Sequence, residues 1–270
     1  MTTQTDKASA FLDLHRPGDP LLLPNPWDQG SARVLASLGF RALATTSSGH
    51  AASLGRLDGS VSRDEALAHA AVIVAATDLP VTADLENCFA GDPAGVGQTI
   101  ALAVGTGLAG GSIEDFTGDN DDPIYPIGLA AERVAAAAQA GHSSGGRFVL
   151  TARAENYLHG RKDLADTIAR LQAYAAAGAD VLYAPGLTSL EDIRQVVKAV
   201  DRPVNVLAFA GAPSVSELAE AGVSRISVGG AFAFAAYGAL ADAATELRDQ
   251  GSYGYLARSA TGRQAIQRSV

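Results

Sequence analysis

Four carboxylates stand at the ends of short runs of the chain or in the loop that follows one. Asp58 follows the run Thr45-Thr-Ser-Ser-Gly49, Asp84 and Glu86 close the run that begins at Val81, and Glu114 closes Gly111-Ser-Ile-Glu114. Like charges gathered at one place repel unless a cation neutralises them. Hard oxygen donors of this kind suit a divalent cation that keeps several waters, Mg²⁺ foremost and Mn²⁺ as the alternative. Asp84 and Glu86 are two residues apart, so on an extended strand they would share a face. Any one of these acids could serve merely as a helix cap or loop carboxylate; the joint pattern is harder to explain that way.

Arg153 ends the apolar run Phe148–Ala152. A guanidinium fork at such a place pairs bidentately with a carboxylate or phosphate. Its partner is either an anionic substrate or a structural bridge to Glu155 or Glu114. Thr45-Thr-Ser-Ser-Gly49 can present successive backbone N–H groups and hydroxyls to an anion, or can simply be a hydroxyl-rich turn. Asn205 lies in the apolar run Val204–Leu207. His50 and His159 are placed in loops as acid–base candidates or as solvated histidines. Cys88 has no histidine near it in sequence and reads as a small hydrophobe. No G-x-G-x-x-G follows a strand and no P-loop is present.

These residues need elements to position them. Short apolar runs suggest eight strands, at Leu21–Leu23, Arg41–Thr45, Val81–Asp84, Gly111–Glu114, Phe148–Ala152, Val181–Ala184, Val204–Leu207 and Arg225–Val228. They do not alternate, as expected of a parallel sheet covered by helices. Ala-rich helical stretches follow nearly all of them, with Gly39, Gly178 and Gly222 as helix stops and Pro80 and Pro203 just before strands. Eight β/α units predict an α/β fold, a (β/α)8 TIM barrel occupying residues 1–270 as one domain, with a doubly wound open sheet as the rival. In such a barrel the site lies at the carboxyl ends of the strands, where all the acids above fall. The segment 116–127 reads as a lid.

Composition narrows the partners. The 270 residues are 47% hydrophobic and carry a net charge of −9. That composition argues for a folded core and against nucleic acid or an anionic membrane as partner. No apolar run reaches the roughly 18 residues of a spanning helix, and the polar N-terminus has no signal-peptide core. One cysteine precludes an internal disulfide and a thiolate zinc site. The expectation is a cytoplasmic protein acting on a small molecule.

Together, Pro24-Asn-Pro-Trp-Asp28, Thr45-Thr-Ser-Ser-Gly49, Leu54-Gly55, Asp58, Ala83-Asp-Leu-Glu86, Ile113-Glu-Asp115, Thr151-Ala-Arg153 and Pro203-Val-Asn205 resemble the isocitrate lyase/phosphoenolpyruvate mutase superfamily, from about Leu22 to Leu240. The resemblance implies a Mg²⁺-dependent barrel that makes or breaks a C–C or P–C bond beside a 2-oxo acid, through a metal-stabilised enolate. It implies Asp58, Asp84, Glu86 and Glu114 as metal ligands, directly or through water. Thr46, Ser47, Ser48, Trp27, Asp84, Arg153 and Asn205 would bind substrate, with Arg153 and Glu114 catalytic. It further implies a homo-oligomer, dimer or tetramer, with the last barrel helix exchanged between subunits. The lyase branches carry Lys-Lys/Arg-Cys-Gly-His after strand 4, and the phosphonomutase branch carries Lys and Asn there. This chain reads Phe116-Thr-Gly-Asp-Asn-Asp-Asp-Pro-Ile-Tyr125, with Asn120 but no lysine or cysteine. The leading expectation is therefore a carbon–carbon lyase or decarboxylase acting on a pyruvate-, oxaloacetate- or 2-oxoglutarate-type substrate. The alternatives are phosphoenolpyruvate or phosphonopyruvate chemistry, or a 2-oxo-acid binding protein without turnover.

Overall fold

The structure is a computed structural model that describes residues 3–143 and 147–269. Met1, Thr2 and Val270, at the ends of the expected domain, lie outside the described residues. Eight parallel strands form one sheet: β1 (Leu21–Leu23), β2 (Leu43–Ala44), β3 (Val81–Asp84), β4 (Gly110–Glu114), β5 (Val149–Arg153), β6 (Val181–Tyr183), β7 (Val204–Leu207) and β8 (Arg225–Ser227). Their order is β1-β8-β7-β6-β5-β4-β3-β2. Pairing of β1 with β8 curls the sheet round, and the Ala44 N–H donates to the Pro24 carbonyl at 3.0 Å across the remaining seam. This is the (β/α)8 barrel, and the open-sheet rival falls with it.

Helices α2 (Gln29–Ser37), α4 (Arg63–Ala75), α5 (Pro93–Gly105), α6 (Ile127–Ser143), α7 (Leu164–Ala176), α8 (Leu190–Ala199) and α9 (Val215–Glu220) wrap the barrel. Several begin where the sequence supplies a cap. Ser62 and Glu65 form a capping box on α4, as Ser214 and Glu217 do on α9, satisfying N–H groups the first turn would leave unpaired. The main core, built from residues such as Leu43, Ile73, Ile100, Phe148, Leu171 and Val196, lies between strands and helices.

Three helices were not expected. Helix α1 (Gln4–Asp13) lacks a long apolar stripe, yet it buries Ala8 and Phe11 completely, in a cluster with Leu21, Leu23, Val149 and Val181. Helix α3 (Ser47–Ser53) is rich in residues of low helix propensity and is nucleated by Thr46, whose side chain accepts from the Gly49 N–H. Helix α11 (Leu256–Arg268) buries none of its described residues. Between β8 and α11, helix α10 (Ala231–Gln250) buries only Ala233 and leaves Phe232, Phe234, Tyr237, Leu240 and Leu247 exposed.

Candidate active site

A cavity of about 200 Å³ opens at the carboxyl ends of the strands. Asp84, last residue of β3, sits in its wall and is fixed from three sides. Its N–H donates to Thr45 Oγ1 at 3.0 Å, its Oδ2 accepts from the Ser47 N–H at 3.2 Å, and its Oδ1 meets Arg153 at 2.9 Å. Arg153 ends β5 beside Glu114, its register partner on β4. Its Nε donates to Glu155 at 2.8 Å and a terminal nitrogen to Glu114 at 3.1 Å. One guanidinium thus gathers three carboxylates, where a bridge to one or two was the alternative to a substrate clamp. Underneath, buried Asp115 accepts from the Glu155 N–H at 2.8 Å, from Tyr174 at 2.5 Å and from Arg170 at 3.2 Å, which holds the ends of β4 and β5 in place.

Asp58, exposed on the rim after α3, and Glu86 join the wall of the adjoining recess with Glu114 and Glu155. Burial, with the charges of Asp84 and Asp58, pushes Glu86 up to about 7. Burial likewise raises Glu114 well above the carboxylate range, against the pull of Arg153. Five carboxylates therefore face one guanidinium, and ionised together they would carry more negative charge than it can balance. Among the described residues no group of three or more His, Cys, Asp or Glu side chains forms a ready-made cage. The donor set fits a hydrated divalent cation, held by few direct ligands and otherwise through water.

Contrary to expectation, Asp84 and Glu86 do not share a strand face. Strand β3 stops at Asp84, and Glu86 has φ +49°. It therefore turns toward the acids through a left-handed residue, not by strand alternation. Cys88 (φ +59°) and Phe89 (φ +55°) are left-handed as well, where a glycine would cost least. Buried Arg133 pins this turn. Its guanidinium donates to the carbonyls of Asn87 (2.7 Å), Ala90 (2.5 Å) and Gly91 (2.9 Å) and stacks 4.1 Å over the Tyr125 ring. Arg133→Met should leave these carbonyls unpaired and destabilise the fold by about 2–3 kcal/mol, the scale of buried unsatisfied groups. A thermal melt within a degree of the unmutated protein would contradict this.

The remaining expected residues divide. Thr46, Ser47, Ser48 and Asn205 line the cavity. Asn205, though, is occupied: its Nδ2 donates to Ser227 at 3.0 Å and its Oδ1 accepts from Arg225 at 2.9 Å. Trp27 is not among the lining residues. It stands behind the loop, where a Cβ on Gly49 would come within 3.2 Å of Trp27 Cβ, and its carbonyl meets His69 at 3.0 Å. His50 stacks on His69 at 3.7 Å, and Cys88 is fully buried with its thiol pushed up to about 12.

The segment after β4 is a closed hairpin. Phe116 bridges Ile124, the Thr117 N–H donates to the Pro123 carbonyl at 2.9 Å, and Asp122 pairs with Arg161 at 3.2 Å. Phe116 stacks on His159 at 4.1 Å, so this imidazole overlooks the acids. Sequence reasoning missed Asn25, Tyr183 and Arg225 as cavity residues. Asn25 and Arg225 lay in view, within the first anchor motif and in strand 8, but nothing local says that either side chain points inward.

The phosphoenolpyruvate phosphomutase family model matches residues 11–248. A crystal structure of a Burkholderia cenocepacia J2315 protein, assigned provisionally as a lyase/mutase, superposes with a TM-score of 0.94 at 53% identity, covering 98% of this chain and 95% of that one. An uncharacterised protein of Mycobacterium tuberculosis is 31% identical over 82% of this chain and 81% of its own length. The structure of 2,3-dimethylmalate lyase, a member of the PEP mutase/isocitrate lyase superfamily, matches with a TM-score of 0.83 at 29% identity over 94% of this chain and 90% of that one.

Proposed function

The chain belongs to the phosphoenolpyruvate phosphomutase family and is an enzyme of the isocitrate lyase/phosphoenolpyruvate mutase superfamily, and from that premise we propose that it makes or breaks a C–C bond beside a 2-oxo carboxylate, with Mg²⁺. The observation that carries this reading is the excess of carboxylates around Arg153, next to the hydroxyl-bearing loop Thr46–Ser48. A cation held there would supply positive charge against the oxygens of a 2-oxo acid and would lower the cost of negative charge developing on them.

The chain's own residues do the rest. Asp84, locked by Thr45, Ser47 and Arg153, offers the most rigid oxygen donor. Glu86 stands beside it as a second holder, with Asp58 and Glu114 in reach through water. Ser47 and Ser48, half-buried in the wall, meet the substrate carboxylate. Arg153 keeps the acids together, and catalytic roles for Arg153 and Glu114 follow from that closeness to the reacting end. The hairpin lacks the cysteine of the lyase branches as well as the lysine of the phosphonomutase branch, so it favours neither C–C nor P–C chemistry. Incubation with Mg²⁺ and pyruvate, oxaloacetate or 2-oxoglutarate, read by thermal shift and by exchange of the C3 protons, tests the reading. No response to any of them would count against it.

Metal binding should depend on pH. Mg²⁺ takes ionised carboxylates, and the metal-free protein holds Glu86 at about 7 against an ordinary 4.5. A raised folded-state pKa means the folded chain keeps a proton the unfolded one has lost. Metal-free stability should therefore fall as pH rises from about 4.5 to 7, while Mg²⁺ affinity climbs through the same window and levels off above it. Titration calorimetry at pH 6, 7 and 8 checks this, and a flat affinity would speak against Glu86 as a ligand.

We also propose that the exposed aromatic and leucine face of α10 packs on a second copy, by helix exchange in a dimer or tetramer. Sedimentation at the mass of a monomer would remove that part. Among the described residues no helix is long and apolar enough to cross a membrane, and a cytoplasmic site of action is part of the same proposal.

A further inference from the structure

Below the acids, the barrel interior holds a second guanidinium that, among the described residues, no carboxylate balances. Arg225, at the start of β8, is 4% exposed. Its Nε donates to Asn205 Oδ1 at 2.9 Å, one terminal nitrogen to Thr151 Oγ1 at 3.1 Å, and the other to His15 Nε2 at 3.3 Å. All three acceptors are neutral. His15 is buried against Arg225, which together hold its pKa down to about 3. Its Nδ1–H donates to the Phe11 carbonyl at 2.9 Å, so Nε2 is left to accept. Burial pulls Arg225 down to about 10, which leaves it charged at neutral pH. Among the described residues no carboxylate pairs with it, and a buried cation without an anion is strongly unfavourable.

Arg225 belongs to the same cavity as the acids. Asp58 and Asp84 line the mouth, while Thr82, Ser112, Thr151 and Arg225 line the deeper wall. Asp84 is in register with Ser112, and Ser112 with Thr151. Two inter-strand spacings, about 10 Å, therefore separate the backbone of Asp84 from that of the threonine that Arg225 touches. Side chains reach in from both sides, so the span suits a small acid lying end to end. The cavity is negative at the mouth, where a cation and the head of a 2-oxo acid bind, and positive at the floor. Arg153, its other cation, is already committed to three carboxylates.

We propose that Arg225, with Thr151 and Ser112, forms a second anion subsite that takes the far anionic group, carboxylate or phosphonate, of a short 2-oxo acid. The proposal rests on the reading of the mouth given above and names the end of the substrate that reading leaves open. It makes Asn205 a positioning residue, since its amide is held between Ser227 and Arg225 and aims the guanidinium.

Four acids test it, each titrated calorimetrically in Mg²⁺: pyruvate, 2-oxobutyrate, oxaloacetate and phosphonopyruvate. The last three share a three-carbon head and differ in whether the fourth group is a methyl, a carboxylate or a phosphonate. At least one anionic-tailed acid should bind about tenfold or more tighter than 2-oxobutyrate, the scale of one charge-assisted hydrogen bond. Whichever of the two binds tighter identifies the tail. Arg225→Met should bring that preference below about threefold and leave pyruvate affinity unchanged. Equal affinity for 2-oxobutyrate and both anionic-tailed acids in the unmutated protein overturns the subsite while sparing the mouth, and this comparison does not depend on the variant folding. A preference that survives Arg225→Met overturns it as well. No binding of any of the four overturns the mouth reading and the subsite with it.

Discussion

Asp84→Ala is expected to abolish the Mg²⁺-dependent response to 2-oxo acids and to cost more than about two decades in metal affinity, because even the groups that orient a metal ligand are worth ten- to a hundredfold. Asp84 is the acid whose position the fold specifies most fully, through Thr45 Oγ1, the Ser47 N–H and Arg153. The variant should nevertheless fold, since Arg153 keeps Glu114 and Glu155. Calorimetric Mg²⁺ titration and turnover measured on the same preparation check both halves. A variant that retains its Mg²⁺ affinity would place the cation elsewhere. A 2-oxo-acid response in the unmutated protein that persists in chelator would remove the metal from the reading altogether.

Arg153→Met is expected to be the most destabilising single change at the mouth. It leaves Asp84, Glu114 and Glu155 crowded together without their cation, and breaking a buried pair from one side costs about 3–5 kcal/mol. At about 2–4 °C per kcal/mol for a chain of this size, the melting temperature should drop by roughly 6–20 °C. Unpartnered, the acids would hold their protons to higher pH. The deficit should therefore be smaller at pH 5.5 than at pH 8, because stability linked to a raised carboxyl pKa is lost as pH rises. Arg153→Lys should fall between the two, since an ammonium keeps the charge but cannot span three carboxylates as the fork does. Were Arg153 chiefly a substrate clamp, the Met variant would melt normally and lose only affinity for 2-oxo acids. Thermal melts at the two pH values, with ligand titration alongside, separate these outcomes.

Much of this site was legible in the linear chain. Each strand of the barrel announced itself as a short apolar run, and glycine or proline marked where helices stopped. A parallel closed sheet sends every strand's carboxyl end to one rim, so acids at the ends of Val81–Asp84 and Gly111–Glu114 had to converge. The hydroxyl-bearing run before α3 and Arg153 at the end of β5 follow from the same rule. Two of the three unexpected helices, α1 and α3, have a different cause. Helix α1 is stabilised by what Phe11 touches under the barrel, and α3 by a side-chain cap and by packing against its surroundings, neither of which local composition reveals.

What the amino-acid order determined by itself is thus the period of the elements and the rim on which polar strand ends meet, because both depend on contacts close in sequence. The tertiary structure alone decided which groups became partners. Arg153 takes acids from β3, β4 and the segment after β5, Trp27, expected to bind substrate, stands behind the Thr46–Ser48 loop, and Arg225 reaches from β8 across to Thr151 on β5. Those pairings depend on strand register and on the closing of the barrel, which bring together residues as many as 74 positions apart. Left-handed Glu86 is the local counterpart: its backbone angle is tolerated because Arg133, 47 residues onward, holds the turn that follows it.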